Sequence, residues 1–326
     1  MAKKNRAVLG ILLLVFFFFV ILMTFAVYVV DVFNAQTSQF QTGGKSGQIG
    51  VVEVKGVIME AKPTIELLHK AENDPNVKAI LVRINSPGGA VGPTQEIYEE
   101  MRRIDTAWSK SQKEEKSEKA EEKKGTSFTQ PKPVYASFGT VAASGGYYLG
   151  SAARKIYSNP GTLTGSIGVI MQFMDLSELF ALARIEQTNI KAGKYKDIGS
   201  PSREMTREEK ELLDEMVKGV HKQFIQDIVK TRKKRLKRDI QELAQGQIFS
   251  GKEAHKFGLV DELKGMWAAG RDIHRRLGLE GEFGLKFIEK EKPRSLFRIL
   301  DNIDKVVNDI SQRVEYTDVP ALMFTP

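Results

Sequence analysis

The sequence predicts an α/β domain built on a mainly parallel sheet with flanking helices. Strand-like and helix-like segments alternate from Ile49 to Ser158, the order that generates parallel strands joined by crossover helices. Val77 to Ile84 (VKAILVRI) is a near-continuous apolar run, as expected of a strand covered on both faces. A separate apolar run from Ala7 to Val30 places one transmembrane helix ahead of that domain.

Taken in order, the elements follow from the pattern. Residues 1–6 carry Lys3, Lys4 and Arg6, and residues 7–30 carry no charge. As a helix rising ~1.5 Å per residue, this run spans roughly 36 Å, enough for a ~30 Å hydrocarbon core. It is longer than the apolar region of a cleavable signal peptide, and no Ala-x-Ala site follows it. It is therefore expected to be an uncleaved signal anchor. The positive-inside rule keeps the N-terminus cytoplasmic and exports the remainder. Residues 34–47 are polar and Gly-rich, which makes residues 31–47 a tether. The Gly44-Lys45-Ser46 triplet is not a P-loop, because that motif requires Gly where Gln39 stands.

Ile49–Ile58 alternates and is β-branched, a strand; Pro63–Asn73 is helical, Val77–Ile84 a buried strand and Gly92–Ile104 a helix. Ser109–Ser127 has Ala120 as its only apolar residue, so residues 105–131 are expected to form a solvated insertion. Pro133–Phe138 is a strand, Ala142–Ala153 a helix and Lys155–Ser158 a short strand. Thr206 and Glu209 form a capping box opening a long amphipathic helix to about Lys233. The basic run Arg232–Arg238 reads as the solvated end of that helix, and Phe257–Leu263 as a loop returning to the core. The main domain is expected to occupy residues 48–290. Residues 291–326 form a C-terminal tail with an amphipathic helix near Leu296–Ile310.

Composition narrows the chemistry. The chain has 326 residues, 41% of them apolar, which suffices for a core. It has no cysteine, which excludes disulfides, thiolate metal sites and a cysteine nucleophile. With four histidines and no His-Glu-x-x-His motif, neither a metal nor any other cofactor is expected. The net charge of +8 establishes no nucleic-acid partner, and none is expected.

Two segments follow predicted strands, where parallel sheets gather their ligands. Asn85-Ser86-Pro87-Gly88-Gly89 can expose backbone N–H groups, as an oxyanion site requires. Val141 to Tyr148 places Ser144 among small residues at a predicted helix start, and Ala142–Gly146 approximates the nucleophile elbow Gly-x-Ser-x-Gly. Such a serine needs a base. His69, His221, His255 and His274 lie in no supporting motif, and no Ser-x-x-Lys occurs, which leaves lysine. The third segment, Lys191 to Ile198, offers Lys191, Lys194 and Lys196, among which periodicity does not choose.

Together the stretches Arg83–Gly89, Val141–Ile170, Lys191–Thr206 and Gly246–Leu263 resemble, in order, the signal peptide peptidase A family. These are membrane-bound Ser-Lys peptidases with a fold related to ClpP and the crotonases. The resemblance covers roughly Gly47 to Leu263. It implies Ser144 as nucleophile, Lys196 as general base and Ser166 orienting the lysine. It also implies Gly89 and Gly145 as oxyanion donors, with Gly88 shaping the turn. Asp197 is then expected to point away from the Lys196 amine. The implied activity is degradation of remnant signal peptides and other apolar peptides by a ring-like homo-oligomer on the extracytoplasmic side of the membrane. The charged insertion departs from the family pattern. The rival classes are an esterase using a histidine, an inactive tethered scaffold and an acyl-CoA enzyme of the crotonase type.

Overall fold

The computed structural model describes residues 48–116, 131–289 and 321–323. The chain divides into Met1–Lys45 and Ser46–Pro326, and only the second unit is described. The expected anchor and tether, the charged insertion beyond Lys116 and the helix near Leu296–Ile310 lie outside the described residues. Among the described residues no helix is long and apolar enough to cross a membrane.

Strand β1 (Ile49–Lys55) is followed by α1 (Lys62–Asn73), β2 (Ala79–Ser86), the short β3 (Gly88–Ala90), α2 (Val91–Lys116), β4 (Val134–Ala143) and α3 (Gly145–Ala152). Next come β5 (Ile156–Ser158), β6 (Leu163–Gly165), α4 (Ser177–Leu182), α5 (Arg207–Arg232) and α6 (Ile240–Leu243). The remainder is β7 (Ile248–Ser250), α7 (Gly251–Phe257), β8 (Glu262–Leu263), α8 (Met266–Arg276), β9 (Leu285–Phe287) and β10 (Ala321–Met323). The main sheet runs β7-β6-β4-β2-β1-β9, with β5 and β8 branching from the lower half of β4. Every pairing in it is parallel except β6 with β7. The expected mixed α/β fold with a mainly parallel sheet is therefore the fold observed.

Both faces of the sheet are covered, which is why its central strands read as apolar without alternation. Val52, Val54, Ile80, Val82 and Ile84 pack with Leu68 of α1, Ile97 and Met101 of α2, Tyr147 and Tyr148 of α3 and Phe224 and Ile228 of α5. On the other face Ile49, Val51, Leu81, Tyr135 and Tyr157 meet Ala269 and Ile273 of α8. Each large side chain buried this way contributes about 1.5–3 kcal/mol. Helix α5 opens on the expected box: the Thr206 hydroxyl accepts from Glu209 N at 3.2 Å and the Glu209 carboxylate accepts from Thr206 N at 2.9 Å.

Several boundaries differ from expectation, for identifiable reasons. The first strand ends at Lys55, because Gly56 turns with φ +71°. Helix α2 continues to Lys116, well past Ile104, and its middle belongs to the packed domain. There the buried Asp105 accepts from Arg154 Nε at 2.7 Å and Val134 N at 3.0 Å, and the Arg154 guanidinium lies 3.9 Å from the centre of the Trp108 ring. The basic run does not begin as a solvated end. Arg232 is fully buried and bonds Asp261 and the Gly258 carbonyl, tying α5 to the turn after α7. The expected loop at Phe257–Leu263 does return to the core, with Leu259 and Val260 buried, but it is shorter: Phe257 ends α7, Gly258 caps it at φ +82°, and Glu262–Leu263 form β8.

Candidate active site

The largest departure from expectation falls where it bears on chemistry. Ala142 and Ala143 belong to β4, and the helix begins only at Gly145. Two features extend the strand. Asn85 Oδ1 accepts from Thr140 N at 2.9 Å and Val141 N at 3.2 Å, holding the irregularity between β2 and β4. Beyond it β4 gains a new neighbour, with Val141, Ala142 and Ala143 paired to Leu163, Thr164 and Gly165.

Ser144 is thus the single residue between strand and helix, in a left-handed conformation at φ +52°. That geometry is costly for a residue with a Cβ and is held by its surroundings. Ser144 N donates to the Gly165 carbonyl at 2.8 Å, and its own carbonyl accepts from Tyr148 N at 2.9 Å. Ser144 does not cap α3 with its side chain: the hydroxyl oxygen is buried and has no hydrogen-bond partner among the described residues. Helix α3 is anchored by its tyrosines. Tyr147 donates to the Leu259 carbonyl at 3.1 Å, and Tyr148 stacks on Tyr98 and donates to the Asp227 carboxylate. Burial pushes the ionisation of both hydroxyls up, so they stay neutral donors.

The glycine turn packs directly on this elbow. Gly88 has φ +114°, its N–H donates to Ser86 Oγ at 3.1 Å and its carbonyl accepts from Ile58 N at 2.8 Å. A Cβ on Gly89 would lie 2.1 Å from the Ile58 carbonyl oxygen, so no larger residue fits there. A Cβ on Gly145 would lie 3.2 Å from Gly88 Cα and 3.3 Å from Gly89 N, which places the two backbones in contact. Gly146 is equally constrained, since a Cβ there would be 2.6 Å from the Ser86 carbonyl.

Ser166 follows β6 as Ser144 follows β4. Because Ala143 pairs with Gly165, the two serines leave neighbouring parallel strands side by side, about 4.8 Å apart in strand spacing. Ser166 is buried at φ +49°, with its N–H on the Gln247 carbonyl at 2.6 Å. The structure therefore gathers Gly88, Gly89, Ser144, Gly145 and Ser166 at the carboxyl ends of β2, β4 and β6.

It does not bring Lys196 to them. Lys196 is exposed, in a cleft with Thr188, Ile190, Ile198 and Pro201, and no described hydrogen bond joins it to either serine. Asp197 is engaged elsewhere, as expected. Arg203 donates to both its oxygens at 2.9 and 3.1 Å, and Lys191 also pairs with it. These cations hold its carboxyl well below the usual range. Of the other candidates, Lys191 is taken by Asp197 and Lys194 by Glu208. No described hydrogen bond links a histidine to Ser144, and His69 pairs with Glu100. Residues that sequence reasoning left without a role include Asn85, Gly146, Gly165 and Gln247, which fix the two serine turns. A polar residue ending a buried strand was the signal for Asn85. Gln247 acts through its backbone and leaves none.

A strained serine between strand and helix, beside a glycine turn at the carboxyl end of a parallel sheet, is the arrangement α/β hydrolases use. Comparison with known proteins agrees. Residues 126–279 match the model of peptidase family S49. A Synechocystis protein whose name describes it as a protease is 35% identical over 218 residues, covering 66% of this chain and 69% of that one. A protein of Enterococcus faecium named as signal peptide peptidase SppA is 32% identical over 196 residues, 60% of this chain and half of that one. The chloroplastic serine protease SPPA of Arabidopsis thaliana is 27% identical over 283 residues, 86% of this chain but only 38% of its own length. The chain belongs to peptidase family S49.

Proposed function

We propose that this peptidase is a membrane-anchored serine endopeptidase with a Ser144–Lys196 dyad on a ClpP/crotonase-like fold, degrading remnant signal peptides and other apolar peptides. The observation that carries the reading is the buried, unpartnered Ser144 hydroxyl, held at a strained elbow against the Gly88–Gly89 backbone. Ser144 Oγ attacks the peptide carbonyl while a neutral Lys196 amine takes its proton. The oxyanion is received by the Gly89 and Gly145 N–H groups, each worth about 2.7–4 kcal/mol by analogy with measured oxyanion donors. The lysinium then protonates the leaving amine, and a water deprotonated by the same lysine hydrolyses the acyl-enzyme. Ser166 accepts or donates a hydrogen bond to hold the amine. The base works only when neutral, so cleavage rises with pH.

The exposed position of Lys196 is accounted for by assembly. In this reading a neighbouring copy in a ring-like homo-oligomer delivers its lysine to Ser144, and the apolar lobe around it becomes an interface. The Ala7–Val30 run anchors the chain in the cell membrane, N-terminus cytoplasmic, with the catalytic unit on the other side.

The test is cleavage of an apolar fluorogenic peptide by the full chain in detergent beside Lys196→Ala. The variant is expected to fold, keep its oligomer mass and lose activity. Equal activity in both chains would move the base elsewhere and reopen the histidine hydrolase.

A further inference from the structure

The segment that leaves α5 is held rigidly and carries unpaired charge. Arg232 is buried on Asp261, Leu236 packs against the core, and Lys237 N donates to the Phe257 carbonyl at 2.9 Å. The Arg235 carbonyl presses on Gly258, where a Cβ would lie 1.9 Å from its oxygen. From this fixed turn Lys233, Lys234, Lys237 and Arg238 are exposed to solvent. Among the described residues no ion pair joins any of these four to an acid, although Arg238 lies 4.9 Å from the centre of the Phe257 ring. The acids around them are engaged elsewhere. Asp261 holds Arg232 and Arg235, Asp227 holds Lys230, and Asp239 caps α6 by accepting from Gln241 N at 2.9 Å. Like charges fixed this close repel one another unless an anionic surface meets them.

The turn lies at the amino end of the sheet. Asp261 also accepts from Ile156 N at 2.7 Å, and Ile156 opens β5. Ile156 pairs with Ala136 near the start of β4, and the start of β4 joins through Ile80 of β2 to the start of β1 at Ile49. The chain therefore enters the domain at the end of the sheet where the four cations stand. Residues 31–48, the link to the proposed anchor, keep the domain within roughly 60 Å of the membrane without choosing the face turned to it. We infer that the turn 233–238 is the face that docks on the bilayer, and that its partner is a surface of anionic lipid headgroups. This rests on the proposed membrane anchoring and adds to it the orientation of the catalytic domain. Each cation near an anionic surface strengthens the attraction roughly fivefold. Docking there sets Ser144, at the carboxyl end of the 10-residue β4, on the far side of the sheet, roughly 33 Å away. A peptide then reaches the nucleophile only as a segment drawn clear of the bilayer.

The experiment follows lysine acetylation by mass spectrometry in the full chain, reconstituted in nanodiscs of phosphatidylcholine alone or of equal parts phosphatidylcholine and phosphatidylglycerol. Lys233, Lys234 and Lys237 are expected to react about tenfold more slowly in the anionic discs. Lys218, exposed on the first half of α5 and paired with Asp214, is expected to react equally in both. Salt at about 1 M, where the screening length is near 3 Å, is expected to remove the difference. Equal rates at the three lysines in both discs would overturn the inference, and slowing by added duplex DNA alone would assign the turn to nucleic acid instead. Slowing of Lys218 by the same factor would overturn it too, as a general effect of the lipid. A chain that enters neither disc would remove the anchor and not the docking face. Acetylation with phosphatidylglycerol vesicles added to that chain then decides: slowing at the three lysines supports the inference, and equal rates overturn it.

Discussion

Two parts of this molecule carry proposed catalytic residues, and opposite physics builds them. Around Ser144 everything is buried. Three backbone turns press against one another, and hydrogen bonds at 2.6–2.8 Å hold Ser144 and Ser166 in left-handed conformations. Around Lys196 almost nothing is. Met174, Leu179, Leu182, Ile185 and Ile190 are all exposed, Leu182 at 83% and Ile190 completely, and no residue of α4 is buried. Large apolar side chains in such number on one lobe mark a surface made to be covered. In the proposed reading, the nucleophile is prepared within one chain and the base awaits a second surface.

The comparison can be broken most forcefully at Ser144. Ser144→Ala is expected to reduce peptide cleavage at least about 1,000-fold with the fold intact, measured by initial rates and circular dichroism. A folded variant with near-normal rate would remove the buried half of the comparison altogether. The next effect is at Gly145. An added Cβ would meet Thr94 Oγ1 at 3.1 Å and Gly89 N at 3.3 Å, displacing the two proposed donors by a few tenths of an ångström. Gly145→Ala is expected to lower kcat about 100- to 1,000-fold with KM changed little, since only the transition state uses both donors. A change confined to KM would instead assign this turn to ground-state binding.

The exposed half predicts the reverse pattern. Leu182→Asp and Ile190→Asp touch no core, so the stability of the single chain is expected to change by no more than about 0.5 kcal/mol. Yet the oligomer mass should fall and cleavage should drop about tenfold, because in the proposed reading covering the lobe is what brings the base. Unchanged mass and rate in both variants would mean that the lobe closes on its own chain.

How much of this was legible in sequence follows the same division. β1, β2 and the start of β4 were readable because strands covered on both faces carry unbroken apolar runs. α5 was readable from Thr206 and Glu209, which announce their own cap. β6, β7 and β9 were not, since three residues hold no period and their pairing is decided by distant partners. Ala142 and Ala143 are small residues that suit a helix start, but their pairing with Thr164 and Gly165 makes them strand. The turns carrying Ser144, Ser166, Gly88 and Gly89 were placed by motif, and the structure gathers them. The surroundings of Lys196 were not legible, because within one chain they are mostly solvent.

The smallest expected effect on activity comes from a different lysine, and it tests what a base in this protein requires. Lys132 is buried, with its ammonium donating to the Ala71 and Asp74 carbonyls at 2.9 and 2.5 Å where α1 ends. Those carbonyls and the Asp74 carboxylate favour the charged form, yet burial outweighs them and pushes the lysine down to about 8. The folded chain therefore releases a proton that the unfolded chain keeps, between about pH 8 and the ordinary lysine value near 10.4. Stability should then rise with pH across that window, by on the order of 1 kcal/mol once solvent screening is allowed for. Lys132→Met should abolish this rise in denaturant melts taken from pH 7 to 10.5 while leaving cleavage at neutral pH unchanged. If wild type and variant run parallel, burial of this depth does not neutralise a lysine in this fold. A neighbouring copy covering Lys196 would then need to add a cation beside it as well as exclude water.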